Sequence, residues 1–199
     1  MGVKLVSSGG GSVEIAPPVT ASSFTATMPA GTGTVAVQGA STNIVSGTAV
    51  TASSTSVDFT GIPSWAKRVT VMFNGLSVSG ASSPLIQLGD SGGIENTGYA
   101  SVSTGSISGA ATVSSTSTAG YIATSGNPAN VLYGSVVLTT ISSNLWVIFG
   151  VLGSSASGTN LTTQITGAKT LSDTLDRVRI TTVNGTDTFD AGSINILYE

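Results

Sequence analysis

The chain contains no cysteine and no histidine. Without thiols there is no disulfide framework and no thiolate zinc site. Without imidazole there is no Ser-His-Asp relay and no histidine ligand for a metal. Charge is scarce as well: Asp, Glu, Lys and Arg make up 8% of the 199 residues, against roughly 25% in an ordinary globular chain. Six basic residues spread among nine acidic ones, with a net charge of -3, leave no patch to neutralise a phosphate backbone, so no nucleic-acid partner is expected. Long apolar runs are missing too, although the mean hydropathy is +0.37. The longest, LWVIFGVL at 145–152, is far below the roughly 18 residues that a helix needs to span a bilayer, so no membrane insertion is expected. Lys4 alone precedes Leu5 and Val6 before a Ser-Ser-Gly-Gly-Gly run, which lacks the apolar centre of an export signal.

What is present is Ser, Thr, Gly and Asn, which supply the polar surface that charged residues supply elsewhere and which favour strands and turns over solvated helices. The length suits one principal domain with an extension. Residues 1–50 show short alternations, such as Ser12-Val13-Glu14-Ile15, broken by Pro17, Pro18, Pro29 and several glycines. They bury too little to build a core and are expected to form an extended, β-poor arm that is either disordered or pairs with other copies of the chain. From residue 51 the alternation strengthens. Val57 and Phe59 share a face, as do Val69, Val71 and Phe73, and further strands are expected at 84–88, 131–140, 145–152, 177–183 and 193–198, with weaker ones near Val102 and Tyr121. Asn74-Gly75 reads as a turn that closes its strand, and Asn184-Gly185 as a hairpin turn between the last two strands. About eight strands with Gly/Ser/Asn connections predict an all-β domain over 51–199, an antiparallel β-sandwich of jelly-roll type. The run at 145–152 is apolar on both faces, the mark of a strand buried centrally or between subunits. The stretch 97–125 has few large side chains and reads as a surface loop or loose hairpin.

Chemistry on such a chain would have to come from carboxylates, Lys or oxygen-held metal. Asp173 with Asp176, and Asp187 with Asp190, are spaced as carboxylate pairs could be, yet each sits in turn-like sequence where a short acid bonds backbone N–H groups, and a structural role is the stronger reading. The glycine-rich loop at 88–95 holds Asp90 and Glu95 but lacks the ligand spacing of an EF-hand, so it reads as a plain turn and no cofactor or metal is expected. No phosphate loop occurs, and although Gly89-Asp90-Ser91-Gly92-Gly93 has Gly-x-Ser-x-Gly spacing, the chain has no histidine to activate Ser91 as a serine hydrolase would. The chain is expected not to be an enzyme. Three aromatics are the candidates for a ligand-facing role: Trp65, just before a strand, and Tyr99 and Tyr121, which border the polar stretch and could stack on a sugar ring. The competing reading of Trp65 is that it caps the core.

The stretches GSVEIAPPVTAS (11–22) and TATMPAGTGTV (25–35) resemble short modules near the start of phage fibre and tail-associated proteins. The stretch SVDFTGIPSWAKRVTVMFNG (56–75) resembles a recurrent C-terminal domain of phage tail-fibre-like proteins, and LDRVRI (175–180) with GSINILYE (192–199) is similar to the close of that domain. The resemblance covers about residues 51–199, with a weaker match before. It implies a virion protein of a tailed bacteriophage, made in the host cytoplasm, trimeric, with a β-rich tip domain and an N-terminal segment that docks on other virion proteins. The absence of a long shaft between dock and domain departs from an extended receptor-reaching fibre. The expectation is therefore a trimeric short tail fibre or fibre-like appendage. A capsid decoration or head-fibre protein stands as one alternative, and an adhesin module for host surface glycans as another.

Overall fold

The computed structural model describes residues 44–199 apart from 108, 124–125 and 157–158, together with the backbone of 3–6, 9 and 12–15. The chain divides into two units, Met1–Val35 and Ala36–Glu199. In the first, β1 (Val3–Val6) and β2 (Ser12–Ile15) form an antiparallel pair with Val3 opposite Ile15. The remainder of the expected arm, 16–43, lies outside the described residues.

The second unit is all-β. Its strands are β3 (Val45–Ser46), β4 (Val50–Thr51), β5 (Val57–Thr60), β6 (Arg68–Val78), β7 (Pro84–Asp90), β8 (Gly93–Ile94), β9 (Tyr99–Ile107), β10 (Val113–Ser117), β11 (Tyr121–Ile122), β12 (Val131–Ser142), β13 (Leu145–Ala156), β14 (Thr159–Thr170), β15 (Arg177–Thr182) and β16 (Phe189–Tyr198). A nine-stranded sheet runs β10-β9-β14-β13-β12-β6-β16-β3, with β4 also on β16; a five-stranded sheet runs β11-β7-β15-β5, with β8 on β7. Every pairing is antiparallel.

The order is that of a jelly roll. In chain order, β5, β6, β7, β9, β10, β11, the β12–β14 meander and β15 take the eight positions. A jelly roll places the sixth, third, eighth and first in one sheet and the fifth, fourth, seventh and second in the other, and the two sheets follow that order. Two additions enlarge it: the seventh position is a three-stranded meander, and β16 extends the large sheet beyond β6. β3 and β4, at the end of the stretch read as arm, lie along β16.

Alternation of side chains builds the core. β6 buries Val69, Val71 and Phe73, β13 buries Trp146, Ile148 and Leu152, and β15 buries Val178 and Ile180; Val57 and Phe59 of β5 join the same cluster. These faces meet in the interior of a sandwich, where each large aliphatic side chain contributes roughly 1.5–3 kcal/mol by leaving water. β7 is buried on both faces.

Two expectations are settled or corrected. Of the two readings of 97–125 the hairpin is the one found, and the stretch is not a surface loop: β9 and β10 form a hairpin at the edge of the large sheet, with β9 paired along β14 from Tyr99 to Ile107. Its small residues face inward with the same alternation as larger ones, Ser101 and Ser103 each 4% exposed, because bulk on that side is supplied by Tyr99 and Tyr121. Nor do the Asn-Gly pairs make hairpins. Asn74-Gly75 lies within β6, where the register against β12 and β16 slips and Gly75 takes φ +68°, the conformation of a β-bulge. Asn184-Gly185 turns the chain between sheets, joining β15 to β16, which do not pair.

Candidate functional site

Two of the three candidate aromatics are core residues. Tyr121 is fully buried and Tyr99 is 3% exposed; their rings meet edge to face at 5.0 Å. The Tyr99 hydroxyl accepts a hydrogen bond from the Leu88 N–H at 2.7 Å and donates to the Glu95 carbonyl at 2.9 Å, while the Tyr121 hydroxyl donates to the Trp146 carbonyl at 3.3 Å. Burial pushes both phenols above their ordinary pKa. Neither ring face is open to a sugar, a correction to the ligand-facing role expected of them. The physical reason is parity: Tyr99 begins β9 on its inward side, and Tyr121 sits on β11 of the small sheet. Trp65 is partly buried against the core, 5.7 Å from the Tyr198 ring.

The carboxylates are held by the fold. Asp173 accepts from the Thr174 N–H at 2.7 Å, and Asp176 receives the Arg177 guanidinium at 2.6 and 3.2 Å. Asp187 accepts from the Asn184 side-chain amide at 2.8 Å and the Ser82 N–H at 2.9 Å, which together hold its carboxyl below the usual range; Asp190 accepts from the Ser77 hydroxyl. Asp90 is lowered chiefly by the Ser172 hydroxyl at 2.6 Å and then by the Gly92 N–H. Burial acts to raise Glu95, but Lys169 and Ser172 together hold it below the ordinary value. Among the described residues, no three His, Cys, Asp or Glu side chains gather where a metal ion could sit.

Sequence reasoning missed the cation of this network. Lys169 is 6% exposed, pairs with Glu95 and lies 5.3 Å from the centre of the Tyr99 ring. On β14, a strand the sequence did not announce, it has the same parity as the buried Leu161, Thr163 and Ile165, so its side chain has to enter the sandwich.

The surface that can engage a partner is the outer face of the large sheet. Phe149 is 61% exposed at the middle of β13, with Val151, Tyr133 and Val102 also exposed around it. Cross-strand register aligns Val102, Thr166, Phe149, Val137, Thr70 and Leu197 in one row across six strands. Beside Phe149 the face hollows into an open groove of about 790 Å³, lined by small side chains including Ala100, Val102, Thr116, Thr118, Thr166 and Ala168. A second, more polar groove of about 360 Å³ is lined in part by Gln87, Asn96, Arg179 and Thr181. Arg179 is already bound to Asp58 through two hydrogen bonds of 2.7 Å, and Gln87 to the Ala119 carbonyl at 2.9 Å.

Compared with known proteins, the chain matches no family model, no curated protein and no solved structure.

Proposed function

We propose that this chain is a non-enzymatic structural protein of a tailed-bacteriophage particle, a trimeric short tail fibre or fibre-like appendage. The N-terminal segment that precedes β3 anchors it to other virion proteins, and the β domain, which β3 and β4 join, is exposed. The observation that carries the reading is the outer face of the nine-stranded sheet. A rigid sandwich that exposes Phe149, Val151, Tyr133 and Val102 on one sheet face is suited to be covered by protein, since isolated soluble domains rarely keep a large apolar patch open to water. The likeness of 56–75 and 175–199 to the tip domain of phage tail-fibre-like proteins supplies the biological setting. Jelly rolls also recur in viral capsid and lectin domains, an analogy at the level of fold alone.

Immunogold microscopy of intact particles, with an antibody raised against residues 51–199, tests it. Gold confined to the tail supports the appendage. Gold over the head makes the chain a capsid decoration protein, and particles without gold overturn the virion reading.

A further inference from the structure

We infer that the outer face of the large sheet is where copies of this chain meet, Phe149 of one protomer seating in the groove between β9, β10 and β14 of the next. The inference rests on the trimeric reading above and names the surface that makes the trimer.

Three features of the face point to a second copy as the occupant. The first is charge. Among the described residues, the outward positions of β9, β14, β13 and β12 carry none, and Arg68 at the margin on β6 is neutralised by Glu199. Copies of a chain with net charge -3 repel one another weakly, so an uncharged face is where like copies approach with least of that cost, whereas a charged partner would find nothing there to pair with. The second is size. Six strands, β9 to β16, span about 24 Å at roughly 4.8 Å per spacing, and nine strand residues run about 30 Å, giving on the order of 700 Å². A standard interface takes roughly 800 Å² from each partner.

The third is shape. The same face carries a projection and a hollow side by side: Phe149 and Val151 stand out from β13, and the adjoining groove presents Ala100, Val102, Thr116, Thr166 and Ala168. The two halves differ, so the projecting half of one copy meets the hollow half of its neighbour. That is a heterologous contact, which closes when three sheets face a common axis. It also accounts for the apolar character of β13 on both sides: one face fills the sandwich and the other fills the neighbour.

The full-length chain is measured by native mass spectrometry and light scattering at micromolar concentration, beside Phe149→Glu and Ala168→Trp. Both substitutions fall outside the buried core, and circular dichroism confirms that each variant keeps the wild-type fold. The expected result is a wild-type trimer whose dissociation midpoint rises at least about 100-fold in either variant, as for a central interface aromatic. A trimer unaffected by both substitutions overturns this face while leaving the trimeric reading intact. A wild-type monomer overturns that reading together with the inference, and a wild-type dimer broken by Phe149→Glu keeps the face but overturns the three-fold arrangement.

A cross-link adds a second test, because the chain has no cysteine of its own. β13 and β10 are three strand spacings apart, about 14 Å, well beyond the roughly 7 Å limit of a disulfide. Oxidised Phe149→Cys/Thr116→Cys double variant should therefore form a covalent trimer between copies, with dimers at most from either single variant. A trimeric double variant that yields no covalent trimer would contradict the seating of Phe149 in the groove.

Discussion

At the scale of residues, the least expected feature is a lysine inside a chain that has so few charges. Lys169 remains tolerable because Glu95 meets it, the Tyr99 ring lies near it and Ser172 steadies the carboxylate. Removing the anion leaves a cation in the sandwich. Glu95→Gln should cost about 3 kcal/mol of folding stability, read as a lower urea midpoint with an unchanged slope. Tyr99→Phe keeps the packing and deletes the acceptor of the buried Leu88 N–H, so a loss of about 1–3 kcal/mol is expected in the same measurement. The titrations set a pH window. Asp90, Glu95 and Asp187 are lowered in the fold, so their contribution is complete above the unfolded carboxylate range of about 3.9–4.3 and is lost as pH falls through the folded values. Tyr99 and Tyr121 are raised, so the stability they contribute is complete below the unfolded value of about 10 and is lost as pH climbs beyond it. No histidine titrates between these limits. Denaturation midpoints should therefore be flat from about pH 5 to 9 and fall on both sides, the acid slope becoming shallower in Asp187→Asn.

At the scale of elements, close packing of the Tyr121 ring on the sheet depends on a glycine. A Cβ on Gly167 would lie 2.3 Å from the Ala100 carbonyl and 2.8 Å from the Tyr121 ring. Gly167→Ala should destabilise by about 3 kcal/mol and perturb the near-ultraviolet signal of the tyrosine pair. The strands whose large apolar residues alternate were legible from sequence, β5, β6, β12, β13, β15 and β16 among them, because period-two burial reads directly from side-chain type. β9 was legible only as a weak strand near Val102, and β10 and β14 were not. Ser, Thr and Gly satisfy a sheet through backbone pairing and leave little hydrophobic trace, so composition left a surface loop and a loose hairpin equally open at 97–125. Tyr99 and Tyr121 were misplaced for the same reason, being judged by polar neighbours when strand parity decides which side they face. The Asn-Gly pairs marked places where φ must be positive, but a bulge and a crossover between sheets need that conformation as much as a hairpin does.

At the scale of the whole molecule, the sandwich class was legible, whereas the jelly-roll order comes from distant pairings that local pattern cannot encode. Asp58 meets Arg179 across β5 and β15, and β6 is paired by β12 on one side and β16 on the other. The candidate interface is similarly a product of register: Val102, Phe149, Val137 and Leu197 are far apart in sequence and fall in one row only when six strands align. The run at 145–152 carried part of this in advance, since a strand apolar on both faces needs a cover on each. The central claim is that this chain is built to become part of a particle. Quantitative peptide mass spectrometry of density-purified virions tests it: peptides from residues 51–199 are expected at a constant copy number per particle, in a multiple of three. Peptides confined to the unassembled lysate and absent from purified virions would contradict it.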